Sequence, residues 1–290
     1  LGIAICNVLL PGFIKDKFPL KVALMTGVYS TVMNIFAAAA SGLSIPLASG
    51  LHWGWQRSLL FWMIPVVLAI ILWIYLDRKN QKDQKGIEIK YMAPSRKGKL
   101  WRSPLAWQVA LFMGLQSTLF YVTISWLPEI LVVNSGLSPA TAGWVLSFIQ
   151  FIGLPGSFIV PIIAGKLKSQ RILVVVLAMC MITGFTGLLL GSSFPVIMLS
   201  TSFIGLALSG NFALALTFLG LRARTAVEAA QLSGMAQAIG YLLAALGPVT
   251  VGLLYDVTHA WTIPIMTLIG VSIFMLGFGL YAGRNRYVLN

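Results

Sequence analysis

DRKNQKDQKGIEIKYMAPSRKGKLWRS, residues 77–103, is the one long run of this chain that water would welcome. Arg78, Lys79, Lys82, Lys85, Lys90, Arg96, Lys97, Lys99 and Arg102 crowd into it, and both flanks are apolar over long stretches. A soluble chain carries about a quarter of its residues charged. This one has 9% charged and 58% hydrophobic residues, with a mean hydropathy of +0.90. The solvent for most of it is lipid. A formal net charge of +13 would mark a nucleic-acid binder if the cations formed a contiguous face. They sit instead in short connections between apolar runs, which excludes nucleic acid and leaves the bilayer as the partner.

Crossing the hydrocarbon takes about 20 apolar residues, and lipid offers no partners for free backbone groups, so long apolar runs must be helices. Nine are expected, at about 1–14 (incomplete), 22–46, 59–76, 105–128, 141–164, 171–191, 195–218, 231–254 and 261–282. The chain opens at Leu1 and is already apolar there, so the first run is expected to be entered mid-helix. Residues 128–142, PEILVVNSGLSPATA, are too broken to span and are expected along the outer surface. With these spans, 19 of the 20 Lys and Arg fall on one side and only Arg57 on the other. The positive-inside rule makes that side cytoplasmic and puts the C-terminus there. Trp53, Trp55, Trp126, Trp144 and Trp261 fall near outer ends, as an interfacial aromatic belt would. The expected product is a multi-pass, monomeric, all-α membrane protein.

Particular stretches carry more than periodicity. NVLLPGFIKDKFP (7–19), TGVYS (26–30), WQVALFMGLQSTLFYVTISWLPEIL (107–131), LSPATAG (137–143) and LRARTAVEAAQLSGMAQAIGYLLAALGP (221–248) resemble the cyanate permease and 2-nitroimidazole exporter branch of the major facilitator superfamily. The resemblance implies a partial major facilitator fold lacking its first three helices. Residues 1–76 would be the family's helices 4–6, 77–103 a cytoplasmic inter-domain loop, and 104–290 the six-helix C-terminal bundle. It also implies secondary transport of a small polar or anionic solute, cyanate-like or nitroimidazole-like, by alternating access. The alternatives are a truncated, non-transporting remnant and a carrier for another small organic anion. The family's second-half loop motif stands here as GKLKSQR (165–171), without the expected acidic residue, so a gating salt bridge is not expected there.

Solute sites of such carriers lie near the bilayer midplane, where burying a polar side chain costs free energy unless it finds a partner. The mid-helix candidates for substrate contact are Asn34, Gln116, Tyr121, Gln150, Asn211, Gln237 and Tyr241. Ser117 and Thr123 accompany Gln116, and Ser233, Gln237 and Tyr241 form a stripe at i, i+4 and i+8. The same residue types also join membrane helices to one another, at roughly 1 kcal/mol each, so packing stands beside substrate contact for every one of them. Pro155 and Pro248 are candidate bending points.

All seven acidic residues fall in loops or at helix ends, so no buried carboxylate offers itself as a proton carrier, and coupling residues are expected upstream of Leu1. Glu228, near Arg222 and Arg224, reads as a solvated ion pair. No Ser/His/Asp set and no His-rich cluster is present, which argues against an intramembrane enzyme, a metal and a cofactor. Cys6 and Cys180 read as packing residues, and His52 and His259 as exposed turn residues.

Overall fold

The computed structural model describes residues 2–45, 47, 53–83, 100–191 and 193–289. His52 and residues 84–99 of the basic loop lie outside the described residues. Every regular element among the described residues is a helix: α1 Gly2–Lys17, α2 Val22–Ile45, α3 Gly54–Phe61, α4 Met63–Asp83, α5 Pro104–Ser135, α6 Pro139–Lys166, α7 Arg171–Leu190, α8 Phe194–Leu221, α9 Ala226–Thr258 and α10 Thr262–Ala282, with a 3₁₀ turn at Leu100–Arg102. Eight stretches among them are long and apolar enough to cross a membrane. The chain is therefore an all-α polytopic membrane protein. The ninth expected span is α1, whose 16 residues fall just short of the roughly 17 that a crossing needs.

Two expectations about boundaries are corrected. Residues 128–142 do not lie as a broken surface segment, because α5 runs through Pro128 to Ser135 and α6 starts at Pro139. A helix-interior proline forfeits one hydrogen bond. The run that follows repays it by packing, since Leu127, Ile130 and Leu131 are buried. Gly136 then ends α5 at φ 65, donating to the carbonyl of Val132 at 3.1 Å, while Leu137 N–H reaches the carbonyl of Leu131 at 3.3 Å. A left-handed residue closing a helix in this way is the usual reason for a glycine there. Ser138 caps α6, accepting from Thr141 N–H at 3.2 Å. The expected 59–76 span is also longer than the pattern indicated. It begins at Gly54, is interrupted at Trp62 and continues to Asp83, so the head of the basic loop is helical.

The described residues group into two compact units. One comprises residues 35–95 and the other residues 1–34 with 96–290. In the smaller unit, α4 is apolar and none of its side chains from Met63 to Leu76 is buried, the surface expected of a helix solvated by lipid.

In the larger unit α8 is the central post, packing against α6 and α7 and touching α1, α5 and α9, while α5 lies along α9 and α10. Glycines set how closely these axes approach. A Cβ on Gly205 of α8 would stand 2.6 Å from the carbonyl oxygen of Ile149 on α6, and one on Gly114 of α5 would stand 3.1 Å from the Gly240 Cα of α9. Membrane helices lack a hydrophobic drive to associate, so this close backbone packing is a main source of their cohesion.

The end of this unit that carries the start of α7 and the ends of α8 and α10 is tied by Arg222. Only 2% exposed, it donates from Nε to the carbonyl of Ala282 at 2.8 Å and from its guanidinium to Gln170 Oε1. Gln170 Nε2 donates in turn to the carbonyls of Ala164 and Leu167 at 2.9 and 2.8 Å. Val288 N–H bonds the Arg222 carbonyl at 2.9 Å and so pins the C-terminal tail. Burial pushes the Arg222 guanidinium down to about 10, so it stays charged near neutral pH. Glu228 is not the solvated ion-pair partner that its neighbours suggested. Thr225 accepts from Glu228 N–H at 3.1 Å and the Glu228 carboxylate accepts from Arg224 N–H at 2.8 Å, a variant of the capping box in which the carboxylate takes the N–H one residue before the N-cap. Trp261 stands at the N-cap of α10, at a helix end, but faces inward. It is 1% exposed and stacks on Tyr255 with ring centroids 4.3 Å apart.

Candidate functional site

The close approach of α5 and α9 at Gly114 and Gly240 fixes where the polar side chains just beyond those glycines end up. Gln116 and Ser117 on α5 and Tyr241 on α9 face a hollow of about 170 Å³ within the larger unit, completed by Asn7 of α1, Met33 and Asn34 of α2, Phe120 and Tyr121 of α5, and Leu208, Ser209 and Phe212 of α8. Four of the seven sequence candidates, Asn34, Gln116, Tyr121 and Tyr241, thus line one space.

Its polar groups are arranged unequally. Gln116 is 1% exposed, and its Nε2 donates to Ser117 Oγ at 3.3 Å while Oε1 has no partner among the described residues. Asn34 Nδ2 is buried and likewise unpartnered. A buried amide left unbonded costs about 1–3 kcal/mol, and here one unbonded donor and one unbonded acceptor belong to residues that line the same space. Among the described residues no charged side chain lines it. Phe120, Tyr121 and Phe212 supply aromatic walls, with Phe120 and Tyr121 edge to face at 5.4 Å.

The other three candidates lie elsewhere. Gln237 is committed to packing, donating to Ser233 Oγ at 2.8 Å and to the carbonyl of Asn7 at 2.9 Å, which ties α9 to α1. The Ser233, Gln237 and Tyr241 stripe is therefore split, with two members joining helices and the third in the hollow. Gln150 is half-buried on α6, outside the lining. Asn211 is fully buried in α8, and neither of its amide atoms has a partner among the described residues. Thr123 is turned back on its own helix, bonding the Leu119 carbonyl at 2.7 Å.

Asn7 is the residue that the sequence reading missed. Its Oδ1 accepts from Tyr29 Oη at 2.8 Å and its carbonyl from Gln237, so it links α1, α2 and α9 at the rim of the hollow. A polar residue isolated in an apolar run was the available signal. Around Ser157, the α2–α6 contact is hydrogen-bonded as well: Ser30 donates to its carbonyl at 3.1 Å, and its hydroxyl lies 3.3 Å from that of Thr31. Cys6 and Cys180 are free thiols. Among the described residues no group of three or more His, Cys, Asp or Glu gathers to hold a metal.

Residues 1–248 match the sequence profile of the Major Facilitator Superfamily. The chain is 46% identical to an uncharacterized transporter, YycB, of Bacillus subtilis (strain 168), over 99% of this chain and 70% of that protein. It is 40% identical to the 2-nitroimidazole transporter of Escherichia coli (strain K12), over 99% of this chain and 71% of that protein. Similarity to the cyanate transport protein CynX of Escherichia coli (strain K12) is lower, 23% over 96% of this chain and 71% of that protein.

Proposed function

The chain belongs to the major facilitator superfamily, and from that premise we propose that it carries a small, flat, uncharged solute across a bacterial inner membrane by alternating access, with the hollow around Gln116 as its binding site. In this reading residues 1–76 contribute part of the N-terminal bundle, 77–103 form the cytoplasmic inter-domain loop, and 104–290 form the C-terminal bundle, with the C-terminus cytoplasmic. Asn34, Gln116, Tyr121 and Tyr241 contact the solute, Gln237 ties α9 to α1, and Gln150 and Asn211 stand outside the site.

One observation carries the choice of solute: among the described residues the hollow is lined by no charged side chain, by two residues with an unbonded amide atom, Asn34 (Nδ2) and Gln116 (Oε1), and by aromatic walls. Size and charge narrow it further. An apolar cavity of about 150 Å³ takes up benzene, so 170 Å³ suits a single ring or something smaller and turns away a lipid. Transferring an unpaired anion out of water costs several kcal/mol, and no cation lines this space to offset it. A nitroimidazole-like ring is therefore favoured over cyanate.

Flux of radiolabelled 2-nitroimidazole and cyanate into proteoliposomes containing the chain tests this. The ring compound should move faster than through protein-free vesicles. Gln116→Leu should lower its flux by about 5- to 30-fold, the worth of about 1–2 kcal/mol of lost hydrogen bonding. Cyanate flux with no movement of the ring compound would overturn the choice of solute.

A further inference from the structure

A second cavity lies at the opposite extreme in character from the hollow around Gln116. It measures about 620 Å³ and is bounded by the start of α5 and the end of α10 with the tail that follows. Arg102, Arg284 and Arg286 line it, together with Ser103, Tyr281 and Tyr287, and among the described residues no acidic side chain does. Arg284 and Arg286 also border an adjoining polar recess with Arg171, so cations gather here from three parts of the chain. None of these arginines makes an ion pair among the described residues.

Charge alone would describe a solvated helix end, but the geometry adds more. Arg284 sits over the Tyr281 ring, its guanidinium carbon 4.3 Å from the centroid. Stacking fixes the plane of a guanidinium and leaves its edge free to donate two parallel hydrogen bonds. Arg284 Nε is buried, with no partner among the described residues, and a buried N–H in that condition calls for an acceptor. The wall opposite is the start of α5, a 32-residue helix, whose dipole favours an anion. The tail cannot swing away freely, because Val288 N–H is held by the Arg222 carbonyl. The site is built rather than adventitious.

Its depth indicates which anion it meets. Trp101 is 56% exposed beside it, with its carbonyl accepting from Trp107 Nε1 at 2.8 Å, and Tyr281 and Tyr287 are 47% and 43% exposed. Half-exposed Trp and Tyr rings at the ends of membrane helices mark the headgroup layer. Fixed arginines at that depth face phosphodiesters.

We infer that this arginine-lined cavity binds the phosphate headgroup of an anionic phospholipid, and so anchors the start of α5 and the tail after α10 to the membrane surface. The recognising chemistry, bidentate donation to phosphate oxygens, is shared with free phosphate, and the test separates the two.

The purified chain is placed in nanodiscs of phosphatidylglycerol mixed with phosphatidylcholine, and the lipid that stays bound on release is counted by native mass spectrometry. Phosphatidylglycerol should be retained in preference, and Arg284→Gln or Arg286→Gln should each reduce that preference about fivefold, as expected for one basic residue near the surface. Lys166→Gln with Lys168→Gln removes two exposed charges that do not line the cavity and should leave the preference unchanged. Inorganic phosphate at millimolar concentration should displace the lipid only weakly. Equal loss in this lysine variant would replace the site by diffuse attraction to a basic surface. Tight binding of inorganic phosphate without retained lipid would make it a free-anion site. Absence of any preference in the unmodified chain, which needs no variant to fold, would overturn the inference outright.

Discussion

Replacing Gly205 by alanine tests whether α6 and α8 meet backbone to backbone. The new Cβ would lie 2.6 Å from the carbonyl oxygen of Ile149 and 2.5 Å from Ile152 Cγ2. Carbon–oxygen contacts settle at about 3.3–3.6 Å, so the oxygen is roughly 0.7 Å too close. A backbone atom cannot rotate aside as a side chain can, so the two helices must part. Forced overpacking of this kind costs about 1–3 kcal/mol. Against it stands a gain of about 0.5–1 kcal/mol, because alanine loses less backbone entropy than glycine in a helix. Gly277→Ala on α10 supplies the control, since a Cβ there meets nothing within 4 Å and only the gain remains. The two variants are compared by unfolding in detergent titrated with sodium dodecyl sulfate. Gly205→Ala should fall below Gly277→Ala by about 1–3 kcal/mol, the propensity gain cancelling between them. Equal stabilities would show that α6 and α8 do not approach at Gly205, and would refute the packing argument.

Other outcomes follow from single residues. Asn211→Leu replaces a fully buried amide with two unbonded atoms by an apolar side chain of similar size, so it should raise the unfolding free energy by about 1–3 kcal/mol in the same titration. A loss of stability would mean that the amide is bonded in the folded protein. Arg222→Lys keeps the charge but loses the fork that reaches both Gln170 and Ala282. It should cost about 1–3 kcal/mol, and an unchanged unfolding curve would dissolve the proposed tie. For topology, a phosphatase or fluorescent reporter fused after Asn290 should read cytoplasmic, and one inserted within residues 51–55 should read outside; the reverse pattern would undo the orientation drawn from the single outlying cation, Arg57.

The fold was legible because lipid imposes one rule, that long apolar runs become helices, and that rule needs no partner information. Helix ends were legible only where local chemistry stops the chain. Pro128 looked like a stop, yet the buried side chains of Leu127, Ile130 and Leu131 carry α5 past it, and tertiary packing of that kind leaves no local trace. The hollow was legible in half, for a similar reason. Gln116 and Gln237 look alike in sequence as mid-helix amides, and only the crossing of α1 over α9 commits Gln237 to the Asn7 carbonyl while leaving Gln116 Oε1 free. Arg222 read as one more loop cation because Gln170 and Ala282, its partners, lie 52 and 60 residues away. Glu228 is the opposite case. Its Thr-x-x-Glu spacing to Thr225 spelled out a capping box locally, but the neighbouring arginines drew the reading towards an ion pair.

The claim on which the rest depends is that a solute occupies the hollow lined by Gln116 and Tyr241. With Cys6 and Cys180 replaced by serine, cysteines introduced singly at Gln116 and Tyr241 can be titrated with a membrane-permeant maleimide, with and without saturating 2-nitroimidazole. Both positions should react, and the solute should slow both reactions together, while a cysteine at Gln150, outside the hollow, should label at the same rate in either case. Labelling at Gln116 and Tyr241 that ignores the solute, together with protection at Gln150, would contradict the account and move the site to α6.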